Sequence, residues 1–341
     1  NTMSRLAAFL NESIWLLTDE RFATILNAIE AIEAGTYSYD HTARKPDAAP
    51  MLVLEDTLER VAYAEPRGQS EQRAVLIVPF QGTIYPRAGM TEPMSGGVNL
   101  QETLGIIRRA IADPGVSSII GDFDSPGGMV SGVPEAAAEL RTLRGLKPMT
   151  AVANFQAASA AYYLAAQFDE IVASPSASVG SIGVIAQYMS AAKRIKDMGY
   201  EVQTLRYPDK KAEADGVNPL SEEAYAYRMT KIRKAYDDFE ANVAAGRRID
   251  QTVVAEKFGQ GRSIDAQDAR KIGMIDRIGT FDSVISEHVT GRVGKAKAYK
   301  ASREEKGMTD EPIETPAPAA PAPPERTMTA DELAQRWGIE K

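Results

Sequence analysis

The chain has 341 residues, 44% hydrophobic and 25% charged, which is the composition of a globular protein long enough for one sizeable domain plus extras. Its formal net charge of −8 argues against nucleic acid as the main partner. Without cysteine there are no disulfides, thiol nucleophiles or thiolate metal sites, and no apolar run reaches the ~18 residues of a membrane span.

In chain order, residues 4–34 read as an amphipathic helix ending at Gly35, and Asn11, Glu12, Asp19 and Glu20 deny it the uninterrupted apolar core of a signal peptide. Residues 36–72 read as a polar, irregular arm. "AVLIVPFQGTI" (74–84) is a buried strand. "NLQETLGIIRRAIADPG" is a helix capped by Asn99, with Glu102 three residues on and an apolar face of Leu100, Leu104, Ile107 and Ile111. "VSSIIGDF" (116–123) is a strand from which "DSPGG" turns away. "PEAAAELRTLRG" is a helix with Pro134 in its first turn and Gly145 past its end. "MTAVAN" (149–154) is a third strand leading into a helix that starts near Ser159. "DEIVAS", "GSIGVIAQ" and "EVQTLRY" predict further strands; "SAAKRIKDMGY" and "SEEAYAYRMTKIRKAYDDFEANVAAGR" predict further helices. Strands alternating with helices give an α/β fold with a largely parallel sheet. From about residue 303 the composition changes, and "TPAPAAPAPPE" (315–325) is a Pro/Ala linker that cannot pack a core. Thr329 and Glu332 then form a capping-box pattern before Trp337. The expected organisation is an N-terminal helix and arm (1–72), a catalytic-type domain (73–302) and a disordered tail (303–341).

Ser159 lies among alanines in "ANFQAASAAYYLAAQ", where packing alone can account for a small hydroxyl. Its place at a strand-to-helix junction also suits a nucleophile. The glycines of "DSPGG" let the backbone approach a ligand closely. If the two strands are neighbours, the N–H groups of Gly128 and Ala160 can form an oxyanion hole beside the Ser159 hydroxyl. A serine nucleophile needs a base. The two histidines, His41 and His288, have no accompanying motif, which disfavours a Ser-His-Asp triad and leaves lysine. Lys210 and Lys211 follow the expected strand "EVQTLRY", where a surface reading also suits them. A lysine base must be neutral, so its pKa has to fall from about 10.4 by roughly 3, a differential solvation of about 4 kcal/mol. Asp209, Glu213 and Asp215 should therefore point away from the amine.

"DSPGG", "AASAAYYLAAQFDEIVASPSASVGSIGV", the lysine-bearing segment and "GRSIDAQDARKIGMIDRIG" (261–279) occur in this order. Together, over residues 74–285, they resemble the signal peptide peptidase A family of Ser/Lys peptidases, and within it the phage capsid-assembly (head maturation) proteases. The resemblance implies a Clp-protease/crotonase-like fold of repeated ββα units. It implies Ser159 as nucleophile, a lysine as general base and Ser181 in "GSIGV" as the group that orients it. Counting on from Thr204 favours Lys211 over Lys210. Ala160-Ala161 stand where the family usually has Gly-Gly. The implied activity is a serine endopeptidase without cofactor or metal. It would form homo-oligomers and cleave scaffold and capsid proteins in the host cytoplasm, within the procapsid. Met308 resembles an internal start of a fused scaffold segment. The alternatives are a signal-peptide peptidase degrading peptides at a membrane, a crotonase-like acyl-CoA enzyme and a non-catalytic scaffold protein.

Overall fold

The computed structural model describes residues 14–18, 49–64, 66, 68, 72–87 and 97–293. The chain divides into Asn1–Ala298 and Tyr299–Lys341, and every described residue belongs to the first unit. The readings for His41, Met308, the Pro/Ala linker and the capping box lie outside the described residues.

The N-terminal reading is corrected at its centre. Where a helix was expected, Trp15–Leu17 is a strand, β1. All three side chains are buried, so both faces of the segment are covered, which one amphipathic helix face does not provide. The rest of 4–34 lies outside the described residues. The expected irregular arm is also more ordered than its composition implies. Met51–Leu54 (β2) and Arg60–Ala62 (β3) form an antiparallel pair, and β2 lies against Ala74–Gln81 (β4). The strand-bearing body therefore starts ahead of residue 73.

Gly82, at φ +79, separates β4 from Thr83–Tyr85 (β5). Gly97–Asn99 (β6) runs into helix α1, Leu100–Ala112, whose Glu102 N–H donates to the Asn99 side chain as the capping pattern predicts. Val116–Ser125 (β7) is followed at once by Gly127–Met129 (β8), so "DSPGG" is extended, sheet-forming backbone rather than a turn. Helix α2 (Val133–Leu143) has Pro134 in its first turn and is followed by Gly145 at φ +79, as expected. Met149–Ala158 (β9) leads into α3 (Ala160–Ala165), followed by Glu170–Ala173 (β10) and Ser178–Gly180 (β11). "GSIGVIAQ" thus contributes only the end of a strand. Next come α4 (Ala192–Asp197), α5 (Glu222–Arg247) and α6 (Gln251–Lys257). Residues 201–207, expected as a strand, make no ladder, and Val202, Leu205 and Tyr207 are exposed. Among the described residues, their apolar spacing has no neighbouring strand to answer it. Ser263–Asp265 (β12), α7 (Ala266–Lys271), Arg277–Ile278 (β13) and α8 (Phe281–Val289) complete the described chain.

The larger sheet runs β12-β11-β9-β7-β4-β2-β3, with β10 on β9 and β13 on β10. The pairs β4–β7, β7–β9, β9–β10, β9–β11 and β10–β13 are parallel. This is the mixed α/β fold with a largely parallel sheet that the alternation predicts. The central strands read as continuous apolar runs because both faces are covered. Leu76, Val78 and Phe80 of β4 face the main core with α1, α2 and α3. Val75 and Ile77, with Ile120 and Val152, face Val284 and Ile285 of α8. Phe80 and Phe123 stack at 4.3 Å, and Phe168 meets both edge-on. A second, smaller sheet runs β1-β8-β5-β6 at the carboxyl end of β7, the end from which β9 delivers Ser159.

Candidate active site

β9 is flanked along its length by β7, and on its other edge by β10 at the start and β11 at the finish. Between Phe123 and Asp124 its register against β7 shifts, so Asn154 and Phe155 bulge before the strand resumes at Gln156. The strand then stops at Ser159, at φ 55 and ψ −117, and the chain turns directly into α3. A side-chain-bearing residue with positive φ stores roughly 1–3 kcal/mol of strain. Surrounding bonds hold it there: the Ser159 N–H donates to the Gly180 carbonyl (2.6 Å), and the Tyr163 N–H donates to the Ser159 carbonyl (2.9 Å). The helix behind it is tethered by Tyr162 Oη donating to the Met274 carbonyl and Tyr163 Oη to Asp238, both at 2.8 Å. Burial pushes both phenols far above their ordinary pKa, with the Asp238 hydrogen bond adding to the effect on Tyr163, so both remain protonated donors.

Ser159 is fully buried, and among the described residues its Oγ has no hydrogen-bond partner. A buried hydroxyl normally finds a partner, because leaving it unpaired costs about 1–3 kcal/mol. This is a strained, unpaired hydroxyl on a sharp strand-to-helix turn, the geometry that presents a nucleophile.

The structure brings three of the other expected residues to this point. Ser181 follows Gly180 directly; it is buried, at φ 51, and its N–H donates to the Arg262 carbonyl (2.9 Å). Ala160 is the first residue of α3. Gly128 lies in β8, as does Gly127, which is so close to Ser159 that a Cβ on it would stand 3.0 Å from Ser159 Cβ. A Cβ on Gly128 would stand 2.0 Å from the Ile84 carbonyl oxygen. Both glycines are thus fixed by close approach, and Gly127 also by its φ of +107.

The lysines are placed differently. Both are exposed, and the strand from which their register was counted is not formed. Lys210 is ion-paired with Glu223 and lies 3.7 Å from Glu213. The Lys211 N–H donates to the Pro208 carbonyl (2.9 Å). The Asp215 carboxylate is engaged by Thr204, Val217 and Asn218. His288 is nowhere near Ser159 in the sheet. It is buried at the opening ends of β7 and β9, with Nδ1 2.8 Å from Ser118 Oγ and Nε2 3.0 Å from Thr150 Oγ1. Burial, with Arg277 adding to it, lowers its pKa from 6.5 to about 4, so the ring is neutral.

Two features of the site escaped the sequence reading. One is β1, which pairs antiparallel with β8 in the register Trp15↔Met129, Leu16↔Gly128, Leu17↔Gly127. Three consecutive large apolar residues were its only signal. The other is a polar cluster further back along β7 and β9: Gln81 Nε2 donates to Asp122 Oδ2 (3.0 Å), and Ser174 Oγ donates to Asn154 Oδ1 (3.3 Å). Burial pushes the Asp122 carboxyl up.

Comparison with known proteins finds a peptidase family and protease relatives. Residues 141–292 match peptidase family S49. The chain is 27% identical over 265 residues to the head-tail preconnector protein GP5 of Enterobacteria phage P21, covering 76% of this chain and 50% of that one. It is 24% identical over 212 residues to the capsid assembly protease C of Escherichia phage lambda, covering 62% and 48%. It is 30% identical over 188 residues to a putative signal peptide peptidase SppA of Enterococcus faecium, covering 55% and 54%. The chain spans about half the length of these relatives.

Proposed function

We propose, from the premise that residues 141–292 form a peptidase S49 domain, that the protein is a serine endopeptidase with a Ser/Lys dyad. The observation that carries this reading is Ser159: a fully buried, unpaired hydroxyl held at positive φ where β9 meets α3.

In this mechanism Ser159 Oγ attacks the scissile carbonyl while a neutral Lys211 Nζ takes its proton, with Ser181 orienting the amine. The N–H groups of Gly128 and Ala160 donate to the oxyanion of the tetrahedral intermediate. Collapse breaks the C–N bond, and the lysine returns the proton to the leaving amine. Water, deprotonated by the same lysine, then hydrolyses the acyl-enzyme. Lys211 is preferred to Lys210 because the Lys210 ammonium is committed to Glu213 and Glu223.

An exposed lysine is a poor base until its surroundings exclude water. Met198, Tyr200, Leu205 and Tyr207 are exposed beside the lysine-bearing segment, as are Tyr225 and Tyr227 at the start of α5. That apolar surface favours a homo-oligomer in which a second copy covers the lysine. The substrates proposed are scaffold and capsid proteins of a phage head, by likeness to the two phage relatives. Among the described residues, no helix is long and apolar enough to cross a membrane.

The test is to incubate the protein with candidate capsid and scaffold proteins and map new termini by mass spectrometry. Ser159→Ala should abolish them. Lys211→Ala should lower turnover by roughly 10²-fold or more, and Lys210→Ala by less than about 3-fold. Full activity in both lysine variants would reject a lysine base at these positions.

A further inference from the structure

Ser159 has no exposed surface, although a nucleophile must meet its substrate. β1 lies over it. The Leu16 carbonyl oxygen stands 2.0 Å, and Ser159 Cβ 3.0 Å, from the point that a Cβ on Gly127 would occupy. The Leu16 carbonyl and Ser159 Cβ thus pack against the same glycine.

The hydrogen bonding of β1 is that of a bound peptide rather than of a terminal edge strand. On one edge the Thr18 N–H donates to the Pro126 carbonyl and the Val130 N–H donates to the Ile14 carbonyl, both at 3.1 Å. On the other edge the Trp15 N–H donates to the Ile185 carbonyl (2.9 Å), and the Ile185 N–H donates back to the Trp15 carbonyl (3.0 Å). The segment is thus clasped between β8 and the chain just beyond Ser181. Hydrogen-bonded positions alternate along an antiparallel pair, so Leu16 and Gly128 form the bonded pair between the Thr18–Pro126 and Ile14–Val130 bonds. The Leu16 carbonyl consequently faces the Gly128 N–H, the donor assigned above to the oxyanion. Successive side chains of a strand point to opposite faces, yet Trp15, Leu16 and Leu17 are all buried. The cleft accepts large apolar side chains on both sides of an extended backbone.

We propose that residues 14–18 occupy the peptide-binding cleft of the protein itself. The cleft is thus a β-augmentation site for extended peptides carrying consecutive large apolar residues, and Ser159 becomes reachable only when β1 leaves. The proposal rests on the serine-peptidase reading, and its occupant is this chain's own N-terminal segment.

The test follows labelling of Ser159 by a fluorophosphonate, whose phosphorus exchanges fluoride for the Ser159 oxygen as the hydroxyl proton is released. Removing residues 1–18 should accelerate labelling at least tenfold, and a synthetic peptide of residues 12–20 should slow it again. Because that deletion uncovers apolar surface and can compromise folding, a second variant keeps the chain whole. Trp15 and Met129 face each other at a non-hydrogen-bonded position, where Cα atoms lie about 4.5 Å apart, within disulfide reach. The chain has no other cysteine to interfere with W15C/M129C. Oxidised W15C/M129C should label at least tenfold more slowly than the reduced form. Equal rates in both forms and in the unaltered protein would overturn the proposal and leave the nucleophile standing. No labelling in any form, reduced pair and deletion included, would overturn the nucleophile and this inference with it.

Discussion

The two ends of β9 carry buried polar groups of opposite kind. At its start, Thr150 joins His288 and Ser118 in a chain of hydrogen bonds at 2.8 and 3.0 Å. At its finish, roughly 25–30 Å away for nine residues of extended chain, Ser159 is equally buried but has no partner for its hydroxyl among the described residues and sits in strained backbone. One strand in one sheet thus holds a satisfied polar cluster and an unsatisfied one. The first ties α8 to β7 and β9 and is architecture. The second is left without such a bond among the described residues, which suits the nucleophilic role proposed for Ser159. His288 could serve Ser159 as a base only by meeting it; its position at the other end of the strand, and its neutral, fully bonded ring, argue for a structural role.

The comparison breaks most visibly by exchange of effects. Ser159→Ala should lower peptide turnover by roughly 10³-fold or more while moving Tm by no more than about 2 °C. His288→Ala should do the reverse. It leaves the Ser118 and Thr150 hydroxyls unpaired around a cavity, at a cost of about 2–4 kcal/mol, or a Tm fall of roughly 5–15 °C, with turnover per folded molecule within about 2-fold. Calorimetry and a peptide assay on both variants check this; a large loss of turnover in folded His288→Ala would erase the contrast.

A pH series sharpens it. The folded pKa of His288, about 4, is below its ordinary 6.5, so folding favours the neutral ring. Its contribution is complete above pH 6.5 and is lost as pH falls from there toward 4, a change of about 3 kcal/mol. Urea unfolding between pH 7 and pH 4 should show that decline, and His288→Gln should remove much of it. The smallest effect belongs to the strained end. Ser159→Gly relieves the positive φ and should raise Tm by roughly 2–4 °C, whereas Ser159→Ala keeps the Cβ and the strain.

What the sequence reveals and what it hides divide along physical lines. The Asn99 cap, the Pro134 start and the Gly145 stop are local chemistry and are found where expected. So is the junction at Ser159, because strand-to-helix alternation is also local. β1 was misread because Trp15, Leu16 and Leu17 take their conformation from Gly127–Met129 and Ile185, partners far along the chain. β2 and β3 were hidden by the polar residues around them, although Leu52 and Val53 are buried in the sheet. The error at 201–207 has the opposite cause: apolar spacing without a neighbour to pair with is not a strand. "DSPGG" looks like a turn by composition, but its glycines serve close contacts with Leu16, Ile84 and Ser159. Around Ser159 the strand-to-helix junction was legible, while β1, paired to the neighbouring β8, was not.

The burial of Trp15 has an optical consequence. The chain has two tryptophans, Trp15 and Trp337. With Trp337→Phe the emission of the whole protein comes from one indole, now 1% exposed within β1. An indole in apolar surroundings emits toward the blue and resists quenching by acrylamide, and one released into water does neither. The colour of the unlabelled protein therefore reports, at every moment, whether the strand over Ser159 is in place.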